Sequence, residues 1–247
     1  MNPESYQQIK SALLALGGQR VWSLMVTLFG DLAQTEGDTI DGPTLSAIMT
    51  ELDVRPEAVR VALHRLRNDG WVASQKHGRT RRHALTPTSL AETQQASARI
   101  YASPENYETE WLLALLEDST SISRREMAKH GFAPLLPRVY LGGSKAKAPS
   151  SALAISASQA PEWLRKQIAP QLQEEEYNAL IPLLRLMTQS LSPDALTDLQ
   201  IVVIRCLIVH NWRRIVLRHP ALPPALLPEN WAGTRCHVLV YKLLTDL

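Results

Sequence analysis

The spacing of apolar residues in the first third of the chain predicts helices followed by a β-hairpin. Apolar positions recur three or four residues apart, as on one face of an α-helix, in four segments: Ile9–Leu14, Val21–Phe29, Leu45–Leu52 and Pro56–Asp69. Asp41 and Pro43 supply the polar cap and the early proline that are typical of a helix start. The next two segments alternate instead, on either side of His77-Gly78, and this pattern predicts a hairpin of Trp71–Lys76 and Arg79–Leu85.

The pattern changes beyond Pro104, where short apolar runs predict a β-α-β-β-α order. The predicted strands are Trp111–Leu116, Leu135–Leu141 and Ala152–Ala157, and the predicted helices between and after them are Ser121–His130 and Glu162–Ile168. This order favours a small ferredoxin-like sheet. From Glu174 onward the pattern is helical throughout, in three segments: Glu174–Gln189, Pro193–Arg218 and Arg235–Leu244.

The distribution of charge is more informative than its sum. The 247 residues carry 26 Lys+Arg and 24 Asp+Glu, a net charge of +2 that argues mildly against a nucleic-acid partner. The segment Arg55–His83, however, holds eight Lys and Arg residues against only Glu57 and Asp69, a local net charge of +6, and the rest of the chain sums to −4. Clustered cations neutralise phosphates and release counterions, so this segment predicts nucleic-acid binding.

The predicted helix Pro56–Asp69 has the amphipathicity of a DNA-recognition helix. One face holds the apolar residues, and a second group points mostly away from it. The apolar residues are Val59, Ala62, Leu63 and Leu66, and the second group is Arg60, Val61, His64 and Arg65. Preceded by a short helix and followed by a basic hairpin, it predicts a winged helix-turn-helix, whose second helix reads the major groove. The predicted DNA-binding residues are Arg55, Arg60, Val61, His64, Arg65, Lys76, Arg79, Arg81 and Arg82, of which Arg60, His64 and Arg65 are expected to contact bases. We also expect His77 and His83 to contact nucleic acid or solvent.

The predicted fold class is α+β and mostly α. We expect four regions: a winged helix-turn-helix domain over 1–88, a connector helix over 89–103, a ferredoxin-like middle domain over 104–172, and a C-terminal helical domain over 173–247.

Signals for other chemistry are weak. The histidines have no metal-ligand spacing, and the chain contains no nucleophile elbow, phosphate-binding loop or dinucleotide fingerprint. Cys206 and Cys236 are too few for a disulfide framework. We therefore expect a non-enzymatic protein without metal or cofactor, soluble and cytoplasmic, with no targeting or membrane-spanning segment. The alternative is a metal-dependent nuclease built on the middle domain, with Asp118 as a ligand.

Three stretches carry a resemblance to a known family. The first is Ser23–Asp31, the second is Val59–Leu66 with Gly70-Trp71, and the third runs from Ile204–His210 and Trp212–Arg214 through Arg218–Pro223 to Leu226–Trp231. In these stretches the chain resembles the PaaX family of bacterial transcriptional repressors of phenylacetic acid catabolism.

The resemblance implies a homodimer that binds a palindromic operator in double-stranded DNA and is released by phenylacetyl-CoA. It also implies that the C-terminal domain over 173–247 serves effector binding and dimerisation. An acyl-CoA effector would need an apolar pocket and cations for its phosphates. A candidate set for this effector site is Trp212, Arg213, Arg214 and Arg218, and interdomain salt bridges are an equally good explanation of these arginines. A further alternative is an acyl-CoA sensor that does not bind DNA.

Overall fold

The computed structural model describes residues 3–18, 20–106, 109–118, 122, 124–168, 171–218 and 222–247. It is an α+β structure with two small antiparallel sheets, in agreement with the predicted class. The chain forms two compact units, one comprising Met1–Ala102, Ala179–Arg214 and Leu239–Leu247, and the other Ser103–Asn178 and Ile215–Val238.

The first unit begins with the predicted helices and hairpin. Its elements up to residue 100 are α1 (Pro3–Ala15), α2 (Val21–Leu32), β1 (Ile40–Asp41), α3 (Gly42–Glu51), α4 (Pro56–Asn68), β2 (Val72–His77), β3 (Thr80–Leu85) and α5 (Pro87–Ile100). The hairpin is confirmed, because β2 and β3 pair antiparallel from Val72–Leu85 to His77–Thr80. Gly78 occupies the left-handed region at φ 60° and closes the turn. β1 adds to the other edge of β3.

The core of this part of the chain lies between α2, α3 and α4. α2 buries Leu24, Met25, Leu28 and Phe29 almost completely, and α2 packs directly against α4. α3 begins where the Asp41 carboxylate accepts a hydrogen bond from the Thr44 backbone N–H at 2.8 Å. This cap satisfies one of the unpaired N–H groups of the first helical turn, as the sequence predicts.

The second unit contains a four-stranded antiparallel sheet of order β5-β6-β4-β7. Its elements up to residue 168 are β4 (Trp111–Leu115), α6 (Arg124–Lys129), β5 (Phe132–Leu136), β6 (Val139–Gly143), β7 (Leu153–Ala157) and α7 (Glu162–Ile168). Residues 121 and 123 of the predicted helix Ser121–His130 lie outside the described residues. Two apolar clusters cover the sheet, one centred on Trp111 and Leu164 and the other on Met127 and Phe132.

The prediction of a single strand over Leu135–Leu141 is wrong. The segment turns at Pro137 and Arg138, so that Leu136 pairs with Val139 and two strands result. Pro137 presets its own φ, and Arg138 takes the left-handed φ of 69° that the turn requires. The Arg138 Nε donates to the Leu116 carbonyl at 2.9 Å, and the Leu116 N–H donates to the Arg138 carbonyl at 2.9 Å. These contacts hold a non-glycine residue in an unfavourable conformation.

The remaining helices are α8 (Gln171–Ser190), α9 (Asp198–Val216) and α10 (Ala232–Asp246), and each contributes residues to both units. The predicted helix Pro193–Arg218 is shorter than expected, because Pro193–Ala195 forms a separate 3₁₀ turn and α9 starts at Asp198. Residues 219–221, which belong to the family-like stretch, lie outside the described residues. Within the described part of the chain, no helix has both the length and the apolar character needed to cross a membrane.

Candidate nucleic-acid interface

α4 presents its predicted polar face to solvent. Arg55 precedes the helix with extended backbone and Pro56 occupies the first turn, where its missing N–H costs nothing. Val59, Ala62 and Leu66 are buried on one face, and Leu63 is half-buried beside them. The predicted contact residues Arg60, Val61, His64 and Arg65 are all exposed.

The centre of the exposed face is not formed by arginines. At about 100° per residue, the positions most nearly opposite the buried face are those of Glu57, Val61, His64 and Asn68, a row spaced by four, three and four residues. The Asn68 side chain contacts His64 Nδ1 at 3.3 Å. Arg60 and Arg67 lie on one flank of this row, and Arg65 lies on the other. Glu57, Arg67 and Asn68 are therefore candidate contact residues absent from the predicted set. Helical spacing from Val61 identifies Glu57 and Asn68, and the spacing of seven residues from Arg60 identifies Arg67.

The flanking arginines have weak local partners. The Arg60 Nη2 lies 3.2 Å from Glu57 Oε1, and both side chains are about three-quarters exposed, at 76% and 73%. The Arg65 guanidinium lies 5.4 Å from the centre of the Trp22 ring and its Nε lies 3.5 Å from Asp69 Oδ2. Exposed pairs of this kind contribute little to stability, so both arginines can exchange their partners for phosphates or bases. Trp22 lies on α2, so only the folded structure brings it to this flank.

The cations of the hairpin lie on different faces of it. Side chains alternate along a strand, and Lys76 is opposite Arg81 in the register, while Gln75 is opposite Arg82. Lys76 and Arg81 therefore share one face and Arg82 lies on the other, with Arg79 next to the turn. All four side chains are exposed. Arg82 is also in register with Asp41 of β1. The pKa of Asp41 is lowered chiefly by the hydrogen bonds from Thr44, and the charge of Arg82 adds to this effect.

The expectation that His83 contacts nucleic acid or solvent is wrong. Its side chain is buried, and its Nδ1 lies 2.7 Å from the Ser74 hydroxyl on the neighbouring strand. Burial lowers the pKa of His83, and the charges of Arg67 and Arg81 lower it further. His83 is therefore neutral at pH 7 and belongs to the packing of the hairpin. His77, at the end of β2, is exposed as expected.

A small cavity of about 140 Å³ lies between α3 and α4. It is lined by residues of α3, residues of α4 and one residue of β3. These are Gly42, Leu45, Ser46, Thr50, Pro56, Val59, Arg60, Leu63 and His83. This volume is below the several hundred Å³ that is usual for small-molecule sites.

Three of the four predicted effector residues pack inside the first unit. Trp212 is 2% exposed, and its Nε1–H donates to the Ile100 carbonyl at 3.0 Å. The Arg213 Nη2 donates to the Ser23 hydroxyl at 3.2 Å, and Arg214 donates to the Gly17 carbonyl. In this conformation all three side chains are engaged by the protein itself.

The fourth residue, Arg218, belongs to the second unit. Its Nη1 donates to both carboxylate oxygens of Glu176, at 2.5 and 2.7 Å. The guanidinium is thus paired with a carboxylate of the same unit.

The structure contains little that fits metal or thiol chemistry. In the part of the chain that the structure describes, no three His, Cys, Asp or Glu side chains are grouped as they would be around a metal ion. Cys206 and Cys236 are free and buried, and burial raises the pKa of both thiols, that of Cys206 to about 12. Thiols of such high pKa are unreactive.

Comparisons with known proteins give consistent matches. Two family models match the chain, described as PaaX-like protein over residues 20–88 and PaaX-like protein C-terminal domain over residues 171–247. The transcriptional repressor PaaX of Escherichia coli strain K12 is 27% identical over 242 residues, which covers 85% of this chain and 75% of the repressor. The solved structure of the uncharacterized protein Rv0674 from Mycobacterium tuberculosis matches with a TM-score of 0.54 at 19% identity. The match covers 93% of this chain and 95% of that protein, which shows a shared fold.

The family models and the E. coli relative define the class of the protein as a transcriptional regulator. The first model spans α2 to β3, which includes the basic helix and hairpin, and the second begins with α8 and runs to the end of the chain. Together they match more than half of the residues. The chain belongs to the PaaX-like family.

Proposed function

We propose that this protein is a DNA-binding transcriptional repressor of an aromatic-acid catabolic operon of the phenylacetate type. In this proposal it binds as a homodimer to a palindromic operator in double-stranded DNA and is released by an acyl-CoA thioester such as phenylacetyl-CoA. The E. coli relative is a transcriptional repressor, and its similarity to this chain supports the regulatory role. Residues 1–88 form the winged helix-turn-helix, 89–103 the connector, 104–172 the ferredoxin-like domain and 173–247 the C-terminal domain.

One observation carries the proposal of DNA binding. α4 and the β2–β3 hairpin are adjacent in the chain and the fold, and their exposed cations face few local carboxylates. Such a surface attracts a polyanion by releasing its counterions. An α-helix fits the major groove, and Arg forks onto the O6 and N7 acceptors of guanine. In the proposed complex α4 reads bases, while the hairpin contacts the phosphate backbone or the minor groove.

The proposal for the effector rests on the family resemblance. Arg213, Arg214 and Arg218 now donate to Ser23, Gly17 and Glu176. A bound CoA would have to replace some of these partners with its phosphates. Release of labelled operator by phenylacetyl-CoA, and not by CoA alone, is the expected result, and no release by any acyl-CoA of a panel would contradict this part of the proposal.

The test of DNA binding separates base reading from phosphate contact. Operator fragments are first selected from genomic DNA with the full chain, and affinities are then measured over a range of salt concentrations. We expect Arg60→Ala to cost about 1–3 kcal/mol on the operator and to relax its specificity. Arg81→Ala should weaken all duplexes alike and lower the slope of log K against log salt by about 0.9.

Arg125→Ala is the matched control for these variants, because Arg125 is exposed on α6 of the second unit. It should leave both affinity and salt slope unchanged. Operator binding that is unaffected by Arg60→Ala and Arg81→Ala would contradict the proposed interface. If the full chain retains no genomic fragment, the proposal of DNA binding itself fails.

A further inference from the structure

Val61 is exposed in the middle of a charged surface. Its side chain is 70% exposed, more than any other large apolar residue in the described part of the chain. It lies on the face of α4 opposite the buried residues, between His64 and Glu57 in the central row. Of its four neighbours one turn away on α4, Glu57, His64 and Arg65 are polar or charged and Ala58 is small, and its exposure shows that none of them covers it.

The folding of α4 does not account for a valine at this position. A β-branched side chain loses rotamer freedom in a helix, so Lys, Glu, Gln or Ala would favour the helix more. An exposed isopropyl group also gains no burial in the free protein. Val61 therefore gains burial only where another molecule covers it.

The chemistry of the major groove identifies that group. We propose that Val61 is a specificity-determining residue that contacts the C5-methyl group of a thymine in the operator; this inference rests on the proposed DNA binding through α4. The edges of the four base pairs present hydrogen-bonding groups in the major groove, and the thymine methyl is the apolar group among them. Val61 occupies the most projecting row of the helix, from which it can reach the floor of the groove.

Removal of this one methyl group from DNA tests the inference. The full chain selects a duplex from a random-sequence library, and each thymine of that duplex is replaced in turn by deoxyuridine, which lacks only the methyl. Fluorescence anisotropy then gives the affinity of each duplex. Burial of one methyl corresponds to about a fourfold change in affinity. We expect about a fourfold loss at a thymine of each half-site, and no loss of this size at thymines that α4 does not cover.

The Val61→Ala variant shows whether Val61 makes that contact. It should bind the thymine duplex more weakly than the wild type and should no longer distinguish thymine from uracil at the sensitive position. Val238→Ala is the matched control, since Val238 is a helical valine that is 48% exposed in the second unit. This variant should keep the wild-type sensitivity.

Two results would overturn the inference and leave DNA binding intact. One is a selected duplex in which no thymine-to-deoxyuridine replacement changes the affinity, and the other is a Val61→Ala variant that keeps the wild-type sensitivity to the methyl group. Failure of the wild-type chain to enrich any duplex would instead overturn the proposed function and this inference together. The variant is expected to fold, because the substitution removes only exposed atoms and improves helix propensity.

Discussion

Buried His210 is expected to make the protein sensitive to mild acid. The side chain is fully buried on α9, and its Nδ1 lies 2.9 Å from the Thr27 hydroxyl of α2. Because that hydroxyl donates to the Ser23 carbonyl at 3.0 Å, it must accept from the Nδ1–H of His210. The perturbation is His210→Gln, which removes the titrating group and retains a polar side chain.

The size of the effect follows from the pKa. Burial lowers the pKa of His210 from 6.5 to about 4, with Arg213 and Arg214 contributing in the same direction. In the unfolded chain His210 therefore binds a proton below about pH 6.5, whereas in the folded chain it binds that proton only below about pH 4. The stabilisation is complete above pH 6.5 and is lost as the pH falls. Between pH 7.5 and 5 the loss amounts to roughly 2 kcal/mol, and it approaches about 3 kcal/mol near pH 4.

The assay is urea denaturation at several pH values from 7.5 to 5, and the readout is the slope of the free energy of unfolding against pH. Other groups, including His83, titrate in both proteins and cancel in the difference between wild type and His210→Gln. We expect the variant to lose roughly 2 kcal/mol less than the wild type over this range. His130→Gln is the control, because His130 is exposed and should leave the slope unchanged. Parallel pH profiles for wild type and His210→Gln would refute the reasoning.

Two further substitutions test the packing of each unit. Asp31→Asn should destabilise the first unit by about 2–3 kcal/mol in urea denaturation. The carboxylate of Asp31 is only 2% exposed, is paired with Arg205 Nε at 2.8 Å and accepts a hydrogen bond from the Tyr101 hydroxyl at 2.6 Å. A loss below about 0.5 kcal/mol would contradict this prediction. Gly142→Ala should cost the second unit about 1–3 kcal/mol, since the added Cβ would lie 2.8 Å from Ala146 Cβ. Adding Ala146→Gly should restore part of that loss, and no recovery would argue against the clash.

Local patterns predicted the elements whose signal is contained in a short stretch of sequence. The helix at α4 and the hairpin of β2 and β3 were predictable because amphipathic spacing and a glycine turn are local properties. The strand pair β5 and β6 was not, because apolar residues lie on both sides of Pro137 and Arg138 and the turn contains no glycine. The turn there depends on contacts with Leu116, which lies 22 residues earlier in the sequence.

The positive charge of the candidate interface and its location in the chain were predictable, but its side-chain contacts were not. Charge counting located the basic segment, and helical spacing placed Arg60, Val61, His64 and Arg65 on the exposed face. It did not predict that Trp22 would contact Arg65, since that contact joins two helices. The exposure of His83 was predicted wrongly because the prediction rested on its position within a basic segment. The alternation of side chains along β3 turns His83 inward, where it contacts Ser74.

A row of polar contacts joins α2 and α9, and in the proposed function it is the physical route from the effector residues to α4. Ser23, Thr27 and Asp31 recur every four residues on α2, and they contact Arg213, His210 and Arg205 of α9 in antiparallel order. The same α2 packs against α4. A ligand changes DNA affinity only by the difference in its affinity for two arrangements of the protein, and a tenfold change requires about 1.4 kcal/mol. A hydrogen bond from a charged group, such as that from Arg213 to Ser23, contributes about 1.5–3 kcal/mol, so the replacement of one such contact by the proposed effector would supply a coupling of the required size.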